Sequence, residues 1–226
     1  DSHCRGRGAK SRGARRAVLS SNRAFRDIAS HAPYDVVEIL ANGQTYGGGG
    51  IFNLYATVAP DSAWAPYVFV HEFGHHFAGL ADEYYTSDVA YETGTSTHVE
   101  PWEPNVTAMH DPSRLKWRDL VEPGTPLPTP WDKEAYEKLS RESQSRRRTL
   151  LASGAPQSQI DALFREEEAW STKLLGGMKF SGKVGAFEGA SYEAKGLYRS
   201  ETDCIMFTRD PVGFWRVCQR AIARVI

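Results

Sequence analysis

Little in these 226 residues favours a strongly charged or lipid partner. The net charge is −1, so the molecule as a whole has no field that would draw it to nucleic acid or an anionic membrane. No apolar run approaches the roughly 18 residues that a membrane-spanning helix needs. Nothing at the start reads as a signal peptide. The chain opens on Asp1 rather than Met, and a mature or trimmed form is expected, with any export signal or upstream domain removed. Cysteine is scarce, at three residues, too few for a disulfide-built scaffold. Cys204 and Cys218 are close enough in sequence to bridge and pin the last helix. Cys4 is then left over, free or paired with something upstream. There is no internal repeat and no low-complexity segment.

What is present fits an ordinary globule, with 41% hydrophobic and 12% aromatic residues. Residues 1–26 carry eight Arg/Lys against a single Asp, a cluster read as a solvated terminus. "SSNRAFRDIASHAPYDVVEILANG" (20–43) reads as a serine-capped helix closed by Pro33, then a β-branched, central-type strand. The run "YGGGG" (46–50) lacks the Lys-Ser/Thr of a phosphate loop and reads as a flexible turn or bulge before the strand "IFNLYATVA". Val70, Phe73 and Phe77 recur at helical spacing, and Gly79 is a natural helix stop. Residues 100–130 look like a long ordered loop, with a glycosylation sequon at 105–107. Asp132 starts a helix carrying Glu134/Lys138, Glu137/Arg141 and Glu142/Arg146 at i,i+4. A second helix, about 157–175, presents Ile160, Leu163, Phe164 and Leu174, completing an outer helical hairpin. The stretch 183–199 reads as irregular, and a last helix is expected to open at Pro211.

The chemistry concentrates in "HEFGHHFAGLADEYY" (71–85). His71 and His75, one helical turn apart, point their imidazoles the same way. That separation suits two nitrogens about 2.0–2.1 Å from one zinc. Glu72 flanks the metal without binding it, placed to take a proton from the attacking water. In the pattern H-E-x-x-H-x-x-G-x-x-H a glycine breaks the helix and a third ligand follows three residues later. Here positions 78 and 81 are both alanine. Shifted by one, Gly79 ends the helix and Asp82 follows at the same offset. Asp82 is the favoured third ligand, with Glu83 and the remote Glu168 and Glu188 as alternatives. His76 is rotated about 100° from His75 and reads as a surface or cleft residue. Met206, one of three methionines, stands where a methionine turn would floor such a site.

These residues resemble the bacterial immunoglobulin A peptidase family of zinc metallopeptidases, marked by H-E-F-G-H-x-F-A-G-L-A-D-E-Y. "YGGGGIFNLYAT" is similar to the family's substrate-side strand, here Ile51, Phe52, Asn53, Leu54 and Tyr55. "EGASYEAKGLYRSETDCIM" is similar to its methionine-turn region. The likeness runs from about residue 20 to 220. It implies an α/β (α+β) zincin-like catalytic domain, with a small mixed sheet, an active-site helix and a helical C-terminal subdomain. One domain over 1–226 is expected, its upper part about 15–80 and its lower part about 81–226, with the hairpin at about 130–175. The resemblance supports one Zn2+ per chain on His71, His75 and Asp82, with Glu72 as base. It also implies an exported protein acting on protein or peptide substrates. Tyr192, Tyr198 and Arg199, with Tyr84 or Tyr85, are candidates to stabilise the transition state. The position two after Met206, where some relatives of this type carry a tyrosine, is Thr208. The alternative function is a non-catalytic, zinc-containing module that binds protein or glycan, against which the intact Glu72 argues.

Overall fold

The computed structural model describes residues 22–87 and 98–226. Cys4, most of the basic N-terminal cluster and the serine cap at 20–21 lie outside them. A short helix α1 (Asn22–Ala29) leads into a small mixed sheet of β1 (Glu38–Leu40), β2 (Gly48–Ile51) and β3 (Tyr55–Val58). Its order is β1-β3-β2, with β1 parallel and β2 antiparallel to β3. The central strand is therefore β3, which is buried along its whole length. The strand expected to be central, β1, lies at an edge, and its Leu40 is exposed.

The glycine run is not a flexible turn. Gly48, Gly49 and Gly50 are strand β2, laid directly against the helix α2 (Ala65–Ala78). A Cβ on Gly50 would fall 2.3 Å from the carbonyl oxygen of Glu72, and one on Gly48 would fall 2.5 Å from Val68 Cγ1. Only a strand without side chains can approach the helix so closely. The strand expected over 51–58 is interrupted for a related reason. Ile51 ends β2, Phe52–Leu54 turn the chain, and Tyr55 begins β3. Asn53 takes the left-handed conformation there (φ 55°), and the Leu54 amide closes the turn on the Ile51 carbonyl at 3.0 Å.

A second three-stranded sheet, all antiparallel, has the order β4-β6-β5, from β4 (Val106–Thr107), β5 (Phe187–Ala190) and β6 (Glu193–Arg199). The stretch read as irregular is thus a hairpin. Between β4 and β5 the chain forms α3 (Lys133–Ala152) and α4 (Gln157–Gly176). Asp132 caps α3 by accepting from the Ala135 amide. Ile160, Leu163 and Phe164 are buried as expected, with Leu175 rather than Leu174 continuing the inner face. The last helix, α5 (Arg216–Ala223), starts five residues after Pro211. Gly213, at φ 67°, turns the chain first, and its carbonyl accepts from the Ile205 amide. The core beneath α2 gathers Ala78, Leu80, Tyr85, Tyr136, Met206, Phe207 and Cys218. No helix among the described residues is long and apolar enough to cross a membrane.

Candidate metal centre

Helix α2 starts at a proline-bearing first turn and stops at Gly79, whose left-handed φ of 61° spares it a Cβ penalty. Its amide bonds the His75 carbonyl and the Leu80 amide bonds the Gly74 carbonyl, so the chain reverses at once. Asn105 brackets the reversed segment. Its Oδ1 accepts from the Ala81 amide (2.8 Å), and its Nδ2 donates to the Ala81 carbonyl (2.9 Å) and to Glu83 Oε1 (3.0 Å). Fully buried and doubly committed, Asn105 is a strut of the site and not a glycan acceptor.

The reversal brings Asp82 back over the histidines. Asp82 Oδ1 lies 3.0 Å from His71 Nε2 and 3.1 Å from His75 Nε2, and the two nitrogens are 3.2 Å apart. On the far side of each ring, Nδ1 faces a backbone carbonyl: Ile205 O at 2.8 Å for His71 and Leu80 O at 2.5 Å for His75. A carbonyl only accepts, so we assign the proton of each neutral ring to Nδ1, which leaves both Nε2 lone pairs turned inward. In that neutral form three acceptors converge with no proton between them. Tetrahedral bonds of about 2.0–2.2 Å would set ligand atoms roughly 3.3–3.5 Å apart, so a small cation fits with a slight expansion of the triangle.

The electrostatics agree. Burial disfavours charge on His75, yet the Asp82 carboxylate beside it outweighs this and holds its pKa up at about 9. Burial alone would raise Asp82, and the two imidazoles instead hold it well below the usual carboxylate range. A site that binds a proton so firmly offers the same field to a metal cation. Glu72 stands beside the triad, a carboxylate oxygen within 4.8 Å of ligand nitrogens of both histidines. Burial raises its pKa against the pull of His71 and His75, and the Gly50 amide bonds its carboxylate.

The methionine region lies beneath. Met206 is fully buried, and a Cβ on Gly74 would meet its Sδ at 3.0 Å. Its carbonyl accepts from the Glu83 amide at 2.8 Å, so the loop supplying the floor also ties down the ligand turn. A family model for IgA peptidase M64 matches residues 10–226. The chain belongs to that family. It is thus a member of a peptidase family, as the motif resemblance implied. No curated protein matches it.

Against the IgA peptidase M64 motif, the alternative ligands fall elsewhere. Glu83 points into the core beside Asn105 and Cys218, its pKa pushed up to about 7, chiefly by burial. Glu188 pairs with Lys133 at 2.8 Å, and Glu168 sits within α4. His76 is neither ligand nor surface residue. It is buried, with Nδ1 on the Ile51 carbonyl at 3.2 Å and Nε2 accepting from the Val37 amide at 3.3 Å, and so clips α2 to the mixed sheet.

Of the transition-state candidates, only Tyr192 reaches a ligand, through a hydrogen bond from its hydroxyl to Asp82 Oδ2. Tyr84 packs edge-on against it at 5.3 Å and parallel to His71 at 6.2 Å. Arg199 is excluded from that role. It is wholly buried between Trp131 and Phe207 and donates to the carbonyls of Gly189 and Thr202. Tyr198, one residue earlier on β6, lies opposite Thr107 and Glu188. Tyr85 is in the core. The bridge expected between Cys204 and Cys218 is not formed. Both are buried free thiols 3.7 Å apart, beyond the roughly 2.05 Å of a bond, with Cys218 Sγ turned to Glu83 Oε1 at 3.6 Å. Residues 51–55, expected as a substrate-side strand, form a strand end, a turn and a strand start, so the sheet edge near the helix is β2 itself.

The sequence reading missed Asn105, and it missed the carbonyls of Leu80 and Ile205. Carbonyls leave no mark in a sequence. Asn105 does, but as a sequon its mark misleads.

Proposed function

We propose that this chain is a zinc-dependent endopeptidase, with His71, His75 and Asp82 holding one zinc and Glu72 acting as general base. The observation that carries the reading is the convergence of three inward acceptor atoms, 3.0–3.2 Å apart, beside a half-buried carboxylate. Bound there, zinc would polarise the scissile carbonyl and make the attacking water more acidic. Glu72 takes the proton of that water and passes it to the departing amine. Burial makes it a stronger base than a solvated carboxylate, and the Gly50 amide fixes its direction. His71 and His75 stay aligned because carbonyls hold their outer nitrogens. An extended peptide adds to the edge at Gly48–Ile51, where main-chain bonds give affinity without demanding a particular side chain.

Zinc per chain and cleavage of a mixed peptide library, read by mass spectrometry, test this together. Wild type is expected to hold one zinc and cut. Asp82→Ala should lose the metal. Glu72→Gln should keep it while turnover falls about 10²–10⁴-fold. An Asp82→Ala chain that retains its zinc would refute the ligand set. Zinc-loaded wild type that cuts nothing would leave a binding module instead.

A further inference from the structure

The hairpin that carries Tyr192 is built at a conformational disadvantage. Ala190 pairs with Glu193, so Ser191 and Tyr192 alone make the turn between β5 and β6. Both have left-handed backbones, with φ 49° and 67°. Two-residue turns of this kind favour Asn-Gly or Gly, because a side chain there is crowded. A tyrosine is a poor choice for folding, and strained non-glycine residues of this sort persist where their surroundings over-determine them.

Here the surroundings are the ligand turn itself. The Ser191 amide donates to the Asp82 carbonyl and the Tyr192 amide to the Tyr84 carbonyl, both at 3.0 Å. The strained turn is thus stitched to residues 82 and 84, and the phenol ends on Asp82 Oδ2. The other oxygen, Oδ1, is the one that faces both histidine nitrogens. The two oxygens of one carboxylate are divided, one towards the metal position and one towards a proton donor.

From this division we infer that Tyr192 is a positioning residue for the metal centre. Its O–H occupies Asp82 Oδ2, so that Asp82 offers the metal a single oxygen and a coordination position stays open for the reaction. The hydroxyl acts through Asp82 and not on the substrate, which replaces the transition-state role expected from sequence. The inference rests on the ligand set proposed above. Hydrogen-bonding partners of ligands typically change metal affinity about 10–100-fold.

The test is Tyr192→Phe in the full chain, which removes one oxygen and keeps the ring that packs on Tyr84. Zinc affinity, by competition with a chelator, should weaken about 10–100-fold, while the melting temperature of the metal-free protein stays within error. In the cobalt-substituted protein the visible absorption should weaken as Asp82 turns bidentate and the coordination number rises. Ser191→Gly, which relaxes the turn and leaves the phenol in place, should raise the melting temperature and keep wild-type zinc affinity. Unchanged zinc affinity and an unchanged cobalt spectrum in Tyr192→Phe would overturn the inference. So would a variant with full zinc affinity and reduced turnover, because the phenol would then act on substrate. If wild type itself binds no zinc, the ligand set fails first and the role of Tyr192 falls with it.

Discussion

Two regions of this chain are rich in charge and treat it in opposite ways. The outer hairpin of α3 and α4 keeps its ions in solvent. Arg146 pairs with Glu166 at 2.6 Å across the hairpin, with side chains 58% and 56% exposed. Arg141 pairs with Glu137 at 3.3 Å within α3. The segment under the metal centre, residues 199–210, buries its ions. Arg199, Glu201, Asp203 and Asp210 are each at most 8% exposed. Neighbouring protein atoms replace part of the lost water. Asp203 Oδ1 accepts from the Cys204 amide at 2.9 Å and from Thr208 Oγ1 at 2.6 Å, and Asp210 Oδ1 accepts from Ser171 Oγ at 2.6 Å. The hairpin's ion pairs can break one at a time with water replacing each partner. In the floor, each group's partner has no substitute. That rigidity serves the site, because this segment presents the Ile205 carbonyl to His71 and the Met206 side chain to α2.

The largest effect is therefore expected at Arg199. Its guanidinium lies 4.2 Å from the centre of the Trp131 ring and 3.8 Å from that of Phe207, and it is bonded to the carbonyls of Glu188, Gly189 and Thr202. Arg199→Ala leaves a cavity, removes the positive charge that acts on the buried Glu83 and strands the carbonyls, which should cost about 3–5 kcal/mol by denaturant titration. Arg199→Lys should recover only part of this, since an ammonium cannot stack between two rings and fork to two acceptors. A loss no greater than that of an exposed arginine would erase the distinction between the regions.

Asp210 gives a smaller effect that depends on pH. Burial, and then the charge of Asp203, raises its pKa from 3.8 to about 8. Between those values the folded state holds a proton that the unfolded state has released, so stability falls as pH rises from about 4 to about 8. Asp210→Asn keeps a donor towards Asp203 without the charge. It should flatten this decline and raise the melting temperature at pH 8 more than at pH 5. Glu201, lifted to about 7 by burial, should leave a residual slope in the variant. Parallel melting curves for the two proteins across this range would mean that Asp210 is charged at little cost in the fold.

The same contrast between local and distant causes decides what could be read from the sequence. Helix α2 was legible because its signals are contiguous: the helical spacing of Val70, Phe73 and Phe77, and Gly79 at the stop. Asp82 was legible for the same reason, as the acid that the Gly79 reversal returns. The glycine run was misread because glycine in isolation means freedom, whereas Gly48 and Gly50 answer a helix that passes some twenty residues later in the chain. Asn105 was noted only as part of a sequon, because its burial and its bonds depend on residues 81 and 83. Arg199 and Tyr192 looked equivalent in a string of letters. Strand alternation buries one, and a two-residue turn sends the other to Asp82.

The smallest effect should come from the hairpin. Arg146→Ala removes the 2.6 Å pair with Glu166, which distance alone would rank as a strong one. Both partners are more than half exposed, so water and salt already compete for each of them, and ordering two long side chains offsets much of their attraction. The melting temperature should stay within measurement error at ordinary salt, and any difference from wild type should emerge only as salt is lowered and screening weakens. A clear destabilisation that persists in high salt would show that the hairpin's ions are held as firmly as those of the floor. The difference between the two regions would then lie in their side-chain packing and not in their exposure to water.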